Sequence, residues 1–146
     1  MRLDLLGKLQ DDHRQLLALV DRLEHLLARL TNPPTPADLT ALQEALEQFI
    51  AKLSSHGAWE SREFFPALRG RLNEGEQWLI GMTEIQDEAM LSEAEGLHRL
   101  VSDATSIQPI GKLKEDGGRL VRWVREHVMI EEERLFTKLD RPPSSQ

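Results

Sequence analysis

The sequence predicts an all-α chain, folded as an antiparallel up-down four-helix bundle. Three observations carry that expectation. Apolar residues recur at alternating spacings of three and four along four separate stretches. Breaks rich in Pro and Gly divide those stretches. Val, Ile and Thr are too few and too scattered for a sheet.

The first helix carries Leu6, Leu9, His13, Leu16, Val20, Leu23, Leu27 and Leu30, spaced 3,4,3,4,3,4,3. Such a seam suits a helix packed in a bundle. The loop TNPPTPAD follows, in which Thr35 stands as an N-cap, Pro36 at the first helical position and Asp38 in the first turn. The second seam is Leu39, Leu42, Leu46, Phe49, Leu53, His56 and Glu60. Pro66 and RGRLNEG mark its break, unless Pro66 only kinks the last turns. The third seam is less regular: Leu79, Met82, Gln86, Ala89 or Met90, then Leu97 and Leu100 or Val101, with a break at TSIQPIG. The fourth is Leu113, Gly117, Leu120, Val124, His127 and Glu131, with Leu135 completing the face. RPPSSQ, residues 141–146, is expected to be a frayed tail, which leaves 1–140 as one domain.

Polar residues interrupt these seams at His13, His56, Glu60, Gln86, His127 and Glu131. In an antiparallel hairpin, residues equally far from the turn lie at one height. With turn centres at about residues 35, 71.5 and 107, His13 reflects to about 57, then to about 86, then to about 128. His13, His56, Gln86 and His127 therefore fall within roughly one helical turn of each other. Glu60 and Glu131 stack one turn along from His56 and His127, as i and i+4 neighbours do. An internal echo agrees: HGAWESREFF at 56–65 aligns with HVMIEEERLF at 127–136, placing Glu60 over Glu131. A weaker echo sets His25 over His98 and His13 over Gln86.

A single His on an apolar seam is most simply a hydrogen-bonded core residue. Three His and two Glu in one layer are another matter. Two buried carboxylates without a cation cost several kcal/mol each or are forced to protonate. A metal ion removes the conflict. With no Cys in the chain, the available donors are imidazole and carboxylate, which suit iron, manganese or zinc. His25 and His98 lie off their seams and are expected in solvent. Trp59, Trp78, Trp123, Phe64, Phe65 and Phe136 are expected as core or helix-end packing, with Phe65 and Phe136 also keeping the site dry.

Composition narrows the partners. The 146 residues carry 18 Lys+Arg against 25 Asp+Glu, a formal net charge of −7, which argues against nucleic acid. No apolar run approaches the roughly 20 residues of a membrane span. Charges interrupt MRLDLLGKLQDDH too early for a signal peptide, so a cytoplasmic location is expected. There is no P-loop, no glycine-rich dinucleotide loop and no nucleophile–His–Asp arrangement in the sequence.

The pattern resembles the haemerythrin-like, or HHE cation-binding, family. It has a His early in helix 1, His-x-x-x-Glu in helices 2 and 4, and the ends Phe-Phe-Pro and Leu-Phe after the two acids. The resemblance covers nearly the whole chain. It implies a four-helix bundle holding a non-haem di-iron centre bridged by carboxylates. It makes His13, His56 and His127 terminal ligands and Glu60 and Glu131 the bridges. Oxygen-carrying members place the last acid one residue later, at Glu132 here; the internal echo favours Glu131.

The departure lies in helix 3. Oxygen carriers have His-x-x-x-His there, and this chain has Gln86-Asp87-Glu88-Ala89-Met90. Gln86 and Met90 are poor ligands for a hard ion. One iron site is thus expected to be depleted, partly occupied or open to solvent, unless the helix is rotated so that Asp87 or Glu88 substitutes. The resemblance then implies reaction with a small oxidant such as O2, peroxide or NO rather than reversible oxygen carriage. The alternatives are a non-catalytic metal sensor or storage module, and a structural bundle whose metal site has decayed.

Overall fold

The computed structural model describes residues 2–102 and 110–139. Helix α1 spans Arg2–Arg29 and α2 spans Pro36–Trp59. A wide π-helical turn at Glu60–Phe64 leads into the short α3, Phe65–Arg69. A 3-10 turn at Glu74–Glu76 precedes α4, Trp78–Ser102, and α5 spans Ile110–Leu139. There is no strand among the described residues. Helix α1 packs against α2 and α5, and α4 packs against the same two. The four long helices therefore close a ring in the order α1–α2–α4–α5, the expected four-helix bundle. No helix among the described residues is long and apolar enough to cross a membrane.

The expected start of α2 is present. Thr35 Oγ1 accepts from the backbone N–H of Asp38 at 3.1 Å, with Pro36 at the first helical position. At the other end the helix does not break at Pro66. It widens first, so that the Phe65 N–H reaches the Glu60 carbonyl, and then runs on to Arg69. A proline ring clashes with the carbonyl four residues earlier in a regular α-helix, and a widened turn relieves that contact. Most of the TSIQPIG break and all of the tail at 141–146 lie outside the described residues.

The seams of α1, α2 and α5 bury as their spacing requires. In α4 the buried face is displaced by one residue. Ile80, Thr83, Met90, Ala94, Leu97 and Val101 are buried, as is the expected Leu79, and Asp87 continues the face as an intermediate residue with its side chain 13% exposed. Met82, Gln86 and Ala89 lie only part-way in.

Apolar burial falls into two clusters. One holds Leu16, Val20, Leu23, Leu46, Phe49, Leu53, Met90, Leu97, Leu120 and Val124 among others. The second holds Leu9, Trp59, Phe64, Phe65, Leu68, Ile80, Leu135 and Leu139. On α1 the residues between Leu9 and Leu16 include Asp12 and His13; on α2, His56 lies between Leu53 and Trp59; on α5, Glu131 lies before Leu135. A polar layer thus separates two apolar halves of one bundle. Trp78 does not join either cluster and stands exposed at the start of α4.

Close helix approach is tightest at Gly117. A Cβ there would stand 2.5 Å from Leu27 Cδ1 and 3.2 Å from Leu27 Cγ, whereas one at Gly81 meets nothing within 4 Å. Gly117→Ala is expected to lower stability by about 1–2 kcal/mol, since overpacking outweighs the gain of about 1 kcal/mol in helix propensity. Gly81→Ala, which has the propensity gain alone, is expected to raise it by up to about 1 kcal/mol. Urea unfolding of the two variants beside the wild type checks the pair; equal effects of the same sign would contradict the packing difference.

Candidate metal centre

Every long helix supplies residues to the polar layer, because each seam places one of its positions at that height. His13 comes from α1, His56 from α2 and Glu60 from the π turn that continues it. Asp87 and Gln86 come from α4, and His127 and Glu131 from α5. His13, His56, Glu60, His127 and Glu131 are all buried, and Glu60 is fully so. The expected convergence is present: the rings of His13 and His56 are 5.4 Å apart, and His127 Nδ1 lies 3.0 Å from Gln86 Oε1.

Glu131 sits at the centre. Its Oε1 is 2.9 Å from His13 Nε2, and its Oε2 is 3.1 Å from His127 Nε2. Asp87 Oδ1 approaches the same His127 Nε2 at 3.0 Å, and Glu60 Oε1 is 3.5 Å from His56 Nε2. Glu132, the other acid open for α5, is more than one-third exposed, with Oε1 3.6 Å from His13 Nδ1.

Two residues fix the ring orientations. Asp12 is buried on α1 and its Oδ2 accepts from His56 Nδ1 at 2.7 Å. A carboxylate only accepts, so the proton is on Nδ1 and the Nε2 lone pair faces the layer. Gln86 Oε1 does the same for His127 Nδ1. Gln86 therefore lies behind the His127 ring, while Asp87 stands in front of it. Asp12 also holds Lys52 Nζ at 2.7 Å and Lys8 Nζ at 2.8 Å, and Lys8 lies over the Trp59 ring. Trp59 stacks on His56 and Phe136 on His13, so aromatic faces close two sides of the layer.

The electrostatics are unbalanced. Burial pushes the Glu60 carboxyl well up, and the neighbouring Glu131 and Asp87 carboxylates push it further. Burial also acts on Glu131, but hydrogen bonds from His127 and His13 outweigh it and hold Glu131 low. Burial lowers His56, which keeps it neutral, the state a metal requires. Burial opposes charge on His127 too, yet Asp87 and Glu131 raise it to about 10.

The buried atoms His56 Nε2, both Glu60 oxygens, Asp87 Oδ1, His127 Nε2 and Glu131 Oε2 have no well-formed hydrogen bond. Buried polar atoms normally find partners. Here they converge on one another instead, as donors around a cation do. Two groups of three offer ligand atoms mutually within 4.8 Å: His13–His56–Glu131 and Asp87–His127–Glu131. The residues fit a bound metal cation, and Glu131 belongs to both groups.

Sequence reasoning missed Asp12, since DDH reads as solvated charge beside a histidine. The signal was the i, i+4 pairing with Lys8 on a face turned toward Lys52. Of the other histidines, His25 is exposed and His98 Nε2 pairs with Glu47 at 3.1 Å.

The family model described as "Hemerythrin HHE cation binding domain" matches residues 4–139. No curated protein and no solved structure matches the chain.

Asp12 gives a stability prediction for metal-free protein. Burial alone would raise its carboxyl; Lys52, Lys8 and His56 outweigh burial and bring it down to about 2. A carboxyl lowered on folding stabilises fully above its unfolded value of about 3.9, and that contribution is lost as pH falls through the folded value. Asp12→Asn is expected to cost about 1–3 kcal/mol at neutral pH in urea unfolding. The gap from wild type should shrink as pH falls from about 4 toward about 2. A gap that stays constant over that range would deny Asp12 its ionised role.

Proposed function

The chain belongs to the hemerythrin HHE cation-binding family, and from that premise we propose that its core layer holds two iron ions that react with a small oxidant such as O2, peroxide or NO. The observation that carries this reading is the sharing of Glu131 between two donor groups, His13–His56–Glu131 and Asp87–His127–Glu131. Two imidazoles with one carboxylate form a donor set suited to ferrous iron. The second group is harder, with two carboxylates and one imidazole.

In this reading His13 and His56 would hold one ion, Asp87 and His127 would hold the other, and Glu131, a member of both groups, would serve both. Glu60, with neither oxygen in a well-formed hydrogen bond and its carboxyl facing Glu131 and Asp87, would add a further carboxylate to the centre. Gln86 is then a positioning residue behind His127, and Asp87 fills the place left by the missing helix 3 histidine. When bound, a pair of iron ions supplies electrons to the oxidant. The chain's own residues orient the donors, exclude bulk water and balance charge. Asp12 and Gln86 fix the two rings; the apolar clusters on either side keep the layer dry. An anionic oxygen donor at Asp87 favours the oxidised, harder ion over the reduced one. That bias suits consumption of an oxidant better than its reversible release. The buried oxygens of Glu60, left without a well-formed hydrogen bond, weigh against a decayed site, where nothing would hold a costly unsatisfied polar group in the core.

Elemental analysis of protein expressed with iron tests the centre. About two iron atoms per chain are expected, and added iron should raise the melting temperature of metal-free protein, because a ligand of the folded state alone stabilises it. Glu131→Gln should lose both ions, Asp87→Asn one, and Gln86→His should gain none. Iron-free protein whose melting is indifferent to iron would overturn the reading. Mixing ferrous protein with peroxide, O2 and NO in turn, and following the visible spectrum, tests the oxidant; a spectrum unmoved by all three would remove that half.

A further inference from the structure

Two surface openings reach the polar layer, and they differ in size and charge. Between α4 and α5 a notch of about 10 Å³ touches Gln86, His127 and Glu131, with Arg134 on its rim. That volume is at the lower limit for a single water, and its cation repels another. Between α2 and α4 lies a cleft of about 220 Å³. Its near wall is built from Leu53, Ser54, Gly57 and Ala58 of α2 and Ser61 of the π turn, all small except Leu53. Its α4 side carries Glu84, Asp87 and Glu88. Asp87 belongs both to this cleft and to the Asp87–His127–Glu131 donor group.

We infer that the cleft between α2 and α4 is the port through which a hydrated divalent cation reaches Asp87 and the core layer. The inference rests on the metal reading above and adds a route to it. Small α2 side chains are what leave the space: a Cβ on Gly57 would meet nothing within 4 Å. An ion with its inner waters needs a passage several water volumes wide, which this cleft offers and the α4/α5 notch does not. Glu88 and Glu84 at the mouth, the latter also paired with Arg69 at 3.5 Å, raise the local cation concentration, as clefts lined by one sign of charge do. Asp87, nearly buried and with Oδ1 lacking a hydrogen bond, takes the ion from them. Glu60 and Glu131 lie immediately beyond, in contact with Asp87 or sharing its donor group. The carboxylates thus form a path from solvent to core, each able to replace a water of the ion.

The test is the rate at which metal-free full-length protein takes up Co²⁺, followed by its visible absorption in rapid mixing, with bound cobalt per chain measured at the end. Gly57→Leu, which fills the cleft, should slow uptake by about tenfold or more, within the decades over which access changes association rates. Final cobalt per chain should stay as in wild type. The double variant Glu84→Gln/Glu88→Gln should slow uptake by about tenfold at low ionic strength, with the difference fading as salt rises. Glu44→Gln, an exposed acid elsewhere on α2, should leave the rate unchanged. Should Gly57→Leu melt early or lose helical circular dichroism, Ala58→Leu, from an exposed position on the same wall, is measured in its place. Wild-type uptake rates in the filling variant and the charge pair would overturn the port while leaving the metal centre intact. A wild-type chain that binds no cobalt and no iron would overturn the metal reading, and the port with it.

Discussion

Three carboxylates held together in an apolar core set the terms for the rest of this bundle. Glu60, Asp87 and Glu131 meet at one level, with apolar clusters on both sides. Removing even one carboxylate from water costs several kcal/mol after relaxation, and like charges in contact add to that. His127 returns part of the cost by carrying a proton between Asp87 and Glu131. Glu60 has no such partner and shifts toward its neutral form. The layer is therefore stable but unsatisfied without metal. A cation entering it replaces protons rather than breaking a finished network, which is the coupling between proton release and metal binding that His and carboxylate sites share.

The two histidines that follow the internal echo are held by different means. His56 is backed by a carboxylate and His127 by a neutral amide. A carboxylate behind an imidazole raises the basicity of the ligand, which by itself would make His56 the stronger donor. Asp12, however, shares its charge with Lys52 and Lys8. Its effect on His56 is thus more positional than electronic: it fixes the tautomer and the ring plane, while the lysines absorb the negative charge that would otherwise be transmitted. The lysines also tie α1 to α2 at this height, so the same group that orients the ligand holds two helices in register.

Much of this was legible in the chain. The seams of α1, α2 and α5, the Thr35 cap and the common level of the histidines follow from spacing alone. Helix α4 is where periodicity divided. Leu79 and Ile80, Gln86 and Asp87, Ala89 and Met90, and Leu100 and Val101 supply two registers one residue apart. The true face, Ile80, Thr83, Asp87, Met90, Ala94, Leu97 and Val101, repeats at 3 and 4 without interruption. It is masked because Thr83 and Asp87 look polar. Thr83 is buried with its hydroxyl donated to the Leu79 carbonyl at 2.8 Å, which removes the cost of burying it. Asp87 is turned inward by the donor group it belongs to. A one-residue displacement exchanges an amide for a carboxylate in front of His127, so the least regular seam is also the one on which the chemistry turns. Asp12 was hidden for a related reason: Lys8 lies on its own helix, but Lys52 and His56 come from α2, and pairing across a fold leaves little trace in local pattern.

The internal echo also explains why Pro66 does not end its helix. The segment at 56–65 and the segment at 127–136 begin alike, with His and then Glu four residues on, and both acids are buried. Beyond these two, only the closing Phe65 and Phe136 also agree, and at the next position Pro66 corresponds to Thr137. The α5 copy stays α-helical through Thr137 to Leu139, whereas the α2 copy widens over Glu60–Phe64 before Pro66. The proline, whose ring clashes with the carbonyl four residues earlier in a regular α-helix, is the difference whose backbone chemistry accounts for the wide turn. The turn begins at Glu60 itself, the carboxylate with no hydrogen-bond partner, and carries Phe64 and Phe65 into the apolar cluster beneath the layer. A backbone irregularity of this kind, at a functional residue, lets Glu60 enter the core from a helix that must continue past it. The symmetry of the repeat thus supplies the paired ligands, and the single proline that breaks it makes the two acids inequivalent.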